Sequence, residues 1–516
     1  MTTTQADVVV AGAGHNSLIA AAYLAKAGFE VVVVEARDVI GGNTVTEELT
    51  LPGFRHDSCS SAHVLIQSNP LMRNNELGLD RYGLTYVMTD PALVMPFDDG
   101  ASITMWRDRQ ATADELARFS RRDAESYMRF LQEWDDGLKQ VHGRASNSPP
   151  AAASEDTEAA RRYVKLNAMS ARDVVFERFE HQHVRELIMW LSFATIQDVE
   201  RPGTGTLPYA VTAGRQEFGW TTPIGGSGML PAALARLIED HGGRVVTGAP
   251  VTEITVEGGR ATGVVTESGN RFSARRAVLS TIHAARLHEV LPAGALPEEF
   301  ATAMSNWKPG MTLFAVHLAL PRVPRFAVED GWRSSTAGAL GSCPGLIAQI
   351  EAHRAGRTYP EDPWVLVVNS CVVDPQRAPD GKATLKILTI APRELTESSW
   401  EIERERFGRA LVGKVALRMD FEPDEALAVL PECPLDLEDR NPHNYLGSCH
   451  GGELSPEQSG LNRPAPGWAH YRMPVEGLYQ TGATTHPGGS VSGRPGRNAA
   501  RVMLHDLGAD PASLMK

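Results

Sequence analysis

The stretch of residues 7–44, DVVVAGAGHNSLIAAAYLAKAGFEVVVVEARDVIGGNT, contains the residues that decide the fold. Its valines at 8–10 form a short β-branched run that ends near a glycine, which predicts a buried parallel strand. Gly12 allows the tight turn out of that strand, and Gly14 lets the backbone approach a pyrophosphate closely. A helix predicted at about residues 15–27 then directs its N-terminal N–H groups at the phosphates.

A second predicted strand, Val31–Val34, ends in Glu35, whose carboxylate can accept hydrogen bonds from both ribose hydroxyls of an adenosine. An acid at this position disfavours a 2′-phosphate, so the pattern predicts FAD or NAD and not NADP. The third glycine of the G-x-G-x-x-G pattern is replaced by Ser17, which we expect to loosen the helix slightly against the strand. Because all the parts follow in the expected order, a glycine turn without a ligand is the less favoured interpretation.

The residues that follow this unit distinguish between the two dinucleotides. Arg37, the run at 41–44 and Thr46 resemble the segment that continues along the ribityl and pyrophosphate of FAD in FAD-binding amine oxidases and carotenoid desaturases. The sequence contains no second unit of strand, G-x-G-x-x-G and helix. We therefore expect one dinucleotide, and we expect it to be FAD.

The C-terminal region returns to the cofactor. Residues 477–493, GLYQTGATTHPGGSVSG, predict a short strand and a glycine-dense loop before a helix at about 494–507. Free N–H groups at the start of that helix suit the flavin pyrimidine, where negative charge accumulates on reduction, although a simple turn is the alternative. The predicted cofactor-binding residues are Gly12, Ala13, Gly14, His15, Asn16, Ser17, Glu35, Ala36, Arg37, Gly41, Gly42, Asn43, Thr44, Thr46, Val251, Gly482, Ala483, Gly489, Ser490 and Val491.

Length and charge narrow the class of protein. At 516 residues the chain exceeds what one core normally holds, so we expect two domains. A formal net charge of −13 argues against nucleic acid and against electrostatic attachment to an anionic membrane. No apolar run reaches the length of a membrane span and the N-terminus lacks the features of a signal peptide, so we expect a cytoplasmic protein. Peripheral membrane contact and oligomerisation stay open.

The five cysteines show no metal-binding or redox pattern. They are scattered, with no C-x-x-C and no close pair, which argues against a zinc knuckle, a bound metal and a dithiol redox motif. We expect reduced, mostly structural thiols at Cys59, Cys343, Cys371, Cys433 and Cys449.

Alternating segments divide the chain into two discontinuous domains. Helical segments at 111–141 and 157–194, with a break at 147–153, suggest a helical cap at about 106–200. A helix at 231–241 and strands at 244–246, 251–256, 263–265 and 276–280 belong with the nucleotide domain. Strands at 312–320, 364–373 and 384–390, before a helix at 397–417, suggest a mixed sheet. We predict an α/β fold with a discontinuous Rossmann-type FAD-binding domain (1–70, 220–290 and 470–516) and a mixed-sheet substrate-binding domain (71–219 and 291–469).

Four parts of the chain carry a resemblance to a known family. Residues 12–44, the segment WTTPIGGSGML at 220–230, the strand that begins at Val251 and the tail at 482–489 resemble the phytoene desaturase and carotenoid isomerase family of flavoproteins, within the amine oxidase superfamily. The chain is most similar to the branch named pyridine-nucleotide-disulphide-oxidoreductase-like, although it lacks paired redox cysteines. Asn43 departs from the basic residue of many relatives. The resemblance implies non-covalent FAD and a substrate tunnel between cap and sheet.

The same resemblance implies an activity. It suggests an FAD-dependent oxidoreductase that desaturates or isomerises a hydrophobic or alicyclic carbon skeleton, with hydride passing from carbon to flavin N5. Oxygen, a quinone or another protein would then accept the electrons. An amine oxidase acting on a C–N bond is the second interpretation, although only 7% of residues are aromatic and an amine needs an aromatic cage. A non-enzymatic prenyl or lipid carrier is the third, and Glu35 and the glycine loops argue against it.

Several side chains are candidates for a catalytic base. His56 and His63 follow the first flavin segment, Tyr209 precedes the segment at 220–230, His450 lies in a glycine-rich loop and His486 lies in the tail. Packing or solvated roles are the alternatives for each of them.

Apolar residues of the predicted cap are candidates for the wall of the substrate tunnel. Met189 and Phe193 are four residues apart and share one face of a predicted helix, close to Trp190. Plain core packing is the favoured interpretation for each of them singly, whereas together they mark the expected wall.

Overall fold

The computed structural model describes residues 3–150, 156–328 and 333–516. Of the break predicted at 147–153, residues 151–153 lie outside the described residues. The strands, in chain order, are β1 (Thr3–Ala11), β2 (Val31–Val34), β3 (Thr46–Glu48), β4 (Arg55–Asp57), β5 (Tyr86–Thr89), β6 (Leu93–Pro96), β7 (Ser102–Met105), β8 (Trp220–Pro223), β9 (Arg244–Val246), β10 (Val251–Glu257), β11 (Arg260–Thr266), β12 (Arg271–Ser280), β13 (Leu313–Leu320), β14 (Ala337–Leu340), β15 (Val365–Val368), β16 (Ala383–Ile390), β17 (Ala428–Glu432) and β18 (Leu478–Gln480).

The helices are α1 (His15–Lys26), α2 (Val64–Gln67), α3 (Pro70–Arg73), α4 (Arg109–Ala117), α5 (Arg121–Glu133), α6 (Lys139–Ser146), α7 (Glu158–Asn167), α8 (Ala171–Arg178), α9 (Gln182–Phe193), α10 (Leu207–Phe218), α11 (Met229–Asp240), α12 (Leu287–Val290), α13 (Glu298–Ser305), α14 (Cys343–Arg354), α15 (Trp400–Ala416), α16 (Pro434–Arg440) and α17 (Arg494–Asp506).

The first sheet is built around the opening strand. Strand β1 pairs in parallel with β2 on one side and with β12 on the other. Strand β9 extends the sheet beyond β2, and β18 pairs in parallel with the last residues of β12. The β10–β11 hairpin continues antiparallel from the first half of β12. The valines at 8–10 and in β2 are buried, as strands covered on both faces should be. The predicted Rossmann-type α/β fold is confirmed.

The tail helix packs against the first helix. Asn16 Oδ1 of α1 accepts a hydrogen bond from the Gly496 N–H of α17 at 3.2 Å. A Cβ at Gly496 would lie 2.2 Å from the Asn16 carbonyl oxygen, so the two helices approach too closely for any other residue. This contact brings the glycine-dense tail loop beside the glycine turn that follows β1.

The second sheet is mixed, as the sequence suggested. Its order is β17-β13-β16-β15-β14-β6-β7, and every pairing is antiparallel except that of β14 with β6. Helix α15 contacts β13, β16 and β17, and α9 contacts β14. The domain limits drawn from the sequence remain a prediction.

The helical segments expected for a cap form helices α4–α9, but three expected wall residues pack into the core. Trp190 of α9 stacks on Trp364 with ring centroids 5.3 Å apart, and its indole N–H donates to the Val365 carbonyl at 3.0 Å. Met189 and Phe193 are buried in the same cluster. Helix α9 lies directly on the second sheet, so this face has no free surface for a substrate. The core packing favoured for each of these residues is confirmed, and together they do not form a wall of the described cavity.

Candidate functional site

A cavity of about 510 Å³ is lined by both sheets, the tail and the end of the cap. We call the part lined by residues 11, 12, 14–16, 34–37, 41–44, 250–251, 281–283, 286 and 289–290 the nucleotide region. We call the part lined by Val64, Leu65, 194–196, 210, 211, 214, 215, Trp220, Leu313, Leu366 and Leu388 the apolar region. Residues 59–62, 441–443, 449–450, 482–483 and 489–491 also line the cavity. Of the predicted cofactor residues, all contribute to the lining except Ala13, Ser17 and Thr46.

The glycine turn after β1 fits a dinucleotide pyrophosphate. Gly12 has a φ of +98°, and a Cβ there would lie 2.4 Å from Thr281 Cγ2. Gly14 differs, because a Cβ at this position would find no described protein atom closer than 3.8 Å. The fold therefore does not need glycine at 14, and the space that Gly14 leaves belongs to the cavity. Helix α1 begins at His15 with no side-chain cap and no acid in its first turn, so its first N–H groups are available to bind an anion.

Glu35 is held in place by two backbone N–H groups. The Ala13 N–H donates to Glu35 Oε2 at 2.6 Å, and the Arg37 N–H donates to Oε1 at 2.9 Å. Each carboxylate oxygen has a second lone pair, which is free to accept from a ribose hydroxyl. The Arg37 guanidinium pairs with Glu47 at 3.0 Å, so its charge already has an acidic partner. The geometry fits FAD, with Ala13 acting on the cofactor through Glu35.

Ser17 does not loosen the first helix, contrary to expectation. Its side chain is buried, and its hydroxyl lies 2.7 Å from the Gly12 carbonyl and 2.9 Å from the Gly14 carbonyl. The serine thus bonds the helix to the turn. A glycine at this position would only allow the helix and the turn to pack closely.

Asn43 connects three loops at the cavity wall. Its amide nitrogen donates to Asn444 Oδ1 at 2.7 Å and to the Cys449 carbonyl at 3.1 Å, while its oxygen accepts from Asn441 at 2.9 Å. A basic side chain could not accept the last of these bonds, so the network accounts for an amide here. Thr46 has a similar linking role, because its hydroxyl donates to Asp57 and accepts from the Gly228 N–H.

The tail loop is positioned by Arg463, which is not among the residues predicted from the sequence. This buried arginine donates to the carbonyls of Ala483 (2.7 Å), Gly451 (2.9 Å) and Glu453 (3.0 Å). Burial lowers the pKa of Arg463 to about 9. The residue holds the 482–483 turn against the loop that carries His450, and no local motif indicates it.

Of the predicted catalytic residues, His450 alone lines the cavity. Its Nδ1 lies 3.2 Å from Cys449 Sγ, and burial lowers its pKa to about 4, so the ring is neutral at pH 7. His63 is fully buried beneath the wall, with Nδ1 2.8 Å from Tyr86 Oη and Nε2 3.1 Å from Ser227 Oγ. Burial lowers the pKa of His63 to about 3.

The other candidates lie away from the described cavity. Tyr209 stacks on Phe130 with ring centroids 3.6 Å apart, and its hydroxyl donates to Glu133 at 2.8 Å inside the cap. His486 Nε2 lies 2.8 Å from the Ala145 carbonyl. His56 lies edge-on to His317 and 2.8 Å from the Thr50 hydroxyl. None of the three side chains lines the described cavity.

The fold also brings together two cysteines whose spacing in the chain does not predict a pair. Cys59 and Cys449 both line the cavity, and their thiols hydrogen-bond each other. The bond from Cys449, with the nearby Lys386 ammonium, lowers the pKa of Cys59. Lys386 Nζ donates to the Cys59 carbonyl at 2.5 Å. The two thiols are far apart in the chain, so the sequence spacing does not reveal that they lie together in the fold.

Comparison with known proteins agrees with the geometry. The family described as flavin containing amine oxidoreductase matches residues 18–504. The chain belongs to this family. It is an FAD-dependent oxidoreductase, and the resemblance to desaturase-like flavoproteins is confirmed.

Relatives of this flavin family member span almost its entire length. The chain is 27% identical to one of the subunits of limonene dehydrogenase from Castellaniella defragrans, over 98% of this chain and 95% of the relative. It is 26% identical to pyridine nucleotide-disulfide oxidoreductase domain-containing protein 2 of Mus musculus, over 97% and 94%. Phytoene desaturases also match, at lower identity. The solved structure of cyclohexylamine oxidase from Brevibacterium oxydans has the same fold, with a TM-score of 0.61, 20% identity and coverage of 98% and 99%.

The described helices include none with the length and apolar character needed to cross a membrane.

Proposed function

We propose that this flavoenzyme dehydrogenates a hydrophobic or alicyclic substrate at a C–C bond. The apolar region of the cavity carries the proposal. Its wall includes Val64, Leu65, Val211, Leu366 and Leu388, and it is continuous with the residues that surround the cofactor site. Desaturase and dehydrogenase names among the relatives support the same class of reaction.

The bound FAD supplies a two-electron acceptor for the hydride that leaves carbon. The chain's own task is to orient the substrate, exclude water and remove one proton. We assign that last role to His450, which lines the cavity and is neutral at pH 7. Once hydride has left, the C–H bond beside the electron-poor carbon is strongly acidic, so a weak base such as this imidazole is sufficient.

An amine substrate fits the cavity less well. Trp220 is the one Phe, Tyr or Trp among the described residues that line it, so the described wall offers no aromatic cage. The histidines at 15, 443 and 450 also line the cavity. Burial lowers the pKa of each to about 4, so all three are neutral at pH 7. A carrier without flavin fits less well still, because Glu35 and the Gly14 space are arranged for a dinucleotide.

An anaerobic panel of substrates tests the proposal. The FAD-loaded protein is mixed with cyclic monoterpenes, polyenes, cyclic ketones and primary amines, and the flavin absorbance near 450 nm is followed. We expect bleaching by alicyclic or polyene compounds and recovery of a product that has lost two hydrogens. Fast bleaching by amines alone would overturn the C–C assignment in favour of the C–N alternative.

We further propose that electrons enter from the organic substrate and leave to oxygen, a quinone or another protein, in a cytoplasmic setting. One dinucleotide-binding unit supports this direction, since a nicotinamide donor would need a site of its own. NADH and NADPH should therefore reduce the bound flavin slowly. Rapid anaerobic bleaching by either one would contradict the proposed direction of electron flow.

A further inference from the structure

Arg215 is a buried cation on the wall of the apolar region. It lies on α10 beside Gly214, is 8% exposed and lines the cavity. Its guanidinium carbon lies 4.3 Å from the centroid of the Trp220 ring. The stacking supports the flat face of the guanidinium but leaves the N–H groups at its edge available.

Two of the guanidinium nitrogens have no partner among the described residues. Arg215 Nε and Nη1 are buried without a hydrogen bond in this part of the chain, and so is the indole Nε1 of Trp220. No described carboxylate pairs with Arg215, and burial lowers its pKa to about 9. A buried charge with unsatisfied donors is costly unless something else satisfies it. All three atoms are donors, so the missing group is an acceptor.

Other arginines of the cavity provide a contrast. Arg37 pairs with Glu47, and Arg286 is held by both oxygens of Glu289 at 3.0 Å or less. Both belong to the nucleotide region. Among the described lining residues, Arg215 is the lysine or arginine that lacks an acidic partner, and it is the one in the apolar region.

We propose that Arg215, with the Trp220 indole, binds a carboxylate carried by the substrate, so that an apolar carboxylic acid is preferred over a neutral hydrocarbon. This inference rests on the proposed function and names the substrate class for it. A planar guanidinium binds a carboxylate through two parallel hydrogen bonds. A diphosphate carries more charge than this one cation balances, and the surrounding wall of Val64, Leu65, Val211 and leucines matches an apolar body.

Arg215 would act as a specificity-determining residue. The carboxylate would be fixed at α10, and the hydrocarbon part of the substrate would extend from there along the apolar wall. A neutral analogue would leave the buried guanidinium unsatisfied, which is the strongest form of discrimination that a polar site achieves.

Calorimetric titration of the FAD-loaded protein tests this assignment. The probes are cyclohexanecarboxylate, cyclohexylmethanol as its neutral counterpart, cyclohexylamine, and acetate as a bare anion. We expect cyclohexanecarboxylate to bind about 10-fold or more tightly than the alcohol, with the amine and acetate weaker still. Equal affinities for the carboxylate and the alcohol would overturn the proposal, as would equal binding of acetate, which would show an adventitious anion site only.

Variants separate an anchoring role from a structural one. Arg215→Gln should weaken binding of the carboxylate about 30-fold or more while changing alcohol binding less than about 3-fold, and Arg215→Lys should retain part of the preference. Arg185→Gln is the matched control, because Arg185 also stacks on an aromatic ring, Phe176 at 4.5 Å, but lies outside the cavity. It should leave both affinities unchanged.

Thermal unfolding supplies a readout that does not depend on turnover. Arg215→Met removes an unsatisfied buried charge, so the ligand-free variant should melt no lower than wild type, and the carboxylate should no longer raise its melting temperature. A lower melting temperature with carboxylate preference retained would show a structural arginine and overturn the proposal. Flavin bleaching by neutral alicyclics is measured in parallel. If they reduce the flavin but no carboxylate preference exists, the anchor alone fails; if the anchor holds but amines are oxidised, the proposed function alone fails.

Discussion

The nucleotide region and the apolar region share one cavity but are built in opposite ways. The nucleotide region consists largely of backbone: a positive-φ glycine at 12, an open space at Gly14 and N–H groups that orient Glu35. The apolar region consists of residues from α2, α10, β8, the segment after α9 and the second sheet, with Arg215 as its buried cation. Backbone sites recognise a cofactor through contacts that tolerate few substitutions. Residues in a wall of side chains can be substituted without disturbing those backbone contacts.

Retention of the cofactor and choice of the substrate therefore reside in different regions of the cavity. Changes in the nucleotide region should alter FAD retention for every substrate alike. Changes in the apolar region should leave FAD in place and alter which substrate reacts. The following experiments test that separation.

The largest effect is expected at Gly12. Gly12→Val forces a branched side chain to a φ of +98° and against Thr281 Cγ2, so FAD binding should weaken by about 100-fold or more. FAD content after gel filtration measures the loss. Gly28→Ala is the control, since Gly28 also has a positive φ, +92°, but no described protein atom within 4 Å and no place in the cavity. Equal FAD loss in both variants would mean that general strain, and not the turn, governs binding.

A smaller loss is expected at Glu35. Glu35→Ala removes the acceptor for two charge-assisted hydrogen bonds, each worth about 1.5–3 kcal/mol, and should weaken FAD binding by roughly 10- to 100-fold. Fluorescence titration of the stripped protein with FAD gives the affinity. Glu30→Ala breaks only the surface pair with Arg275 and should leave that affinity unchanged. Retention of wild-type affinity in Glu35→Ala would remove this carboxylate from the site.

His63 tests whether the residues behind the wall are structural. Its folded pKa of about 3 lies below the unfolded value of 6.5, so the unfolded chain takes up the proton first as the pH falls. The contribution of neutral His63 to the free energy of unfolding is fully present above about pH 6.5 and is lost as the pH falls towards 3. The loss reaches about 2 kcal/mol by pH 5. Between pH 7.5 and pH 5, the free energy of unfolding measured with urea should fall by about 2 kcal/mol less in His63→Gln than in wild type.

The exposed His505 provides the control for the substitution itself, and His505→Gln should unfold at the same urea concentration as wild type at pH 7.5. An unchanged pH dependence in His63→Gln would contradict a neutral, structural role for His63.

The smallest effect is expected at Gly214. Gly214 is helical, and the nearest described atom to a Cβ there is Val64 Cγ1 at 3.7 Å, so Gly214→Leu should fill part of the apolar region without backbone strain. Relative kcat/KM for bulky against small substrates should fall by about 10-fold, with FAD content unchanged. Gly413→Leu, in α15 with no described atom within 4 Å, should change neither quantity. Loss of FAD from Gly214→Leu would show that the two regions are not separable.

Residues that act together and also lie together in the chain were the easiest to predict from the sequence. The turn at Gly12, the strand that ends at Glu35 and the tail helix at Arg494–Asp506 were all predicted within a few residues. Each has a local signature, because a strand, a turn and a helix start follow one another directly.

The apolar region could not be predicted in this way. Part of its wall begins at Ala194, directly after the buried Phe193 at the end of α9. The spacing of apolar residues in a helix cannot show which end of the helix borders a cavity. Cys59 and Cys449 meet only through the fold, and Arg463 acts through backbone carbonyls that carry no sequence pattern. His63 and Tyr209 belong to residue types suited to catalysis, but neither lines the described cavity, which the sequence does not indicate.

The product of an anaerobic single turnover tests the central claim most directly. The FAD-loaded protein is mixed with an alicyclic substrate that bleaches its flavin, and the organic product is identified by mass spectrometry. We predict an intact carbon skeleton that has lost two hydrogens, one product for each flavin reduced. A carbonyl product formed from an amine with loss of nitrogen, or flavin reduction without any new carbon–carbon double bond, would contradict the account.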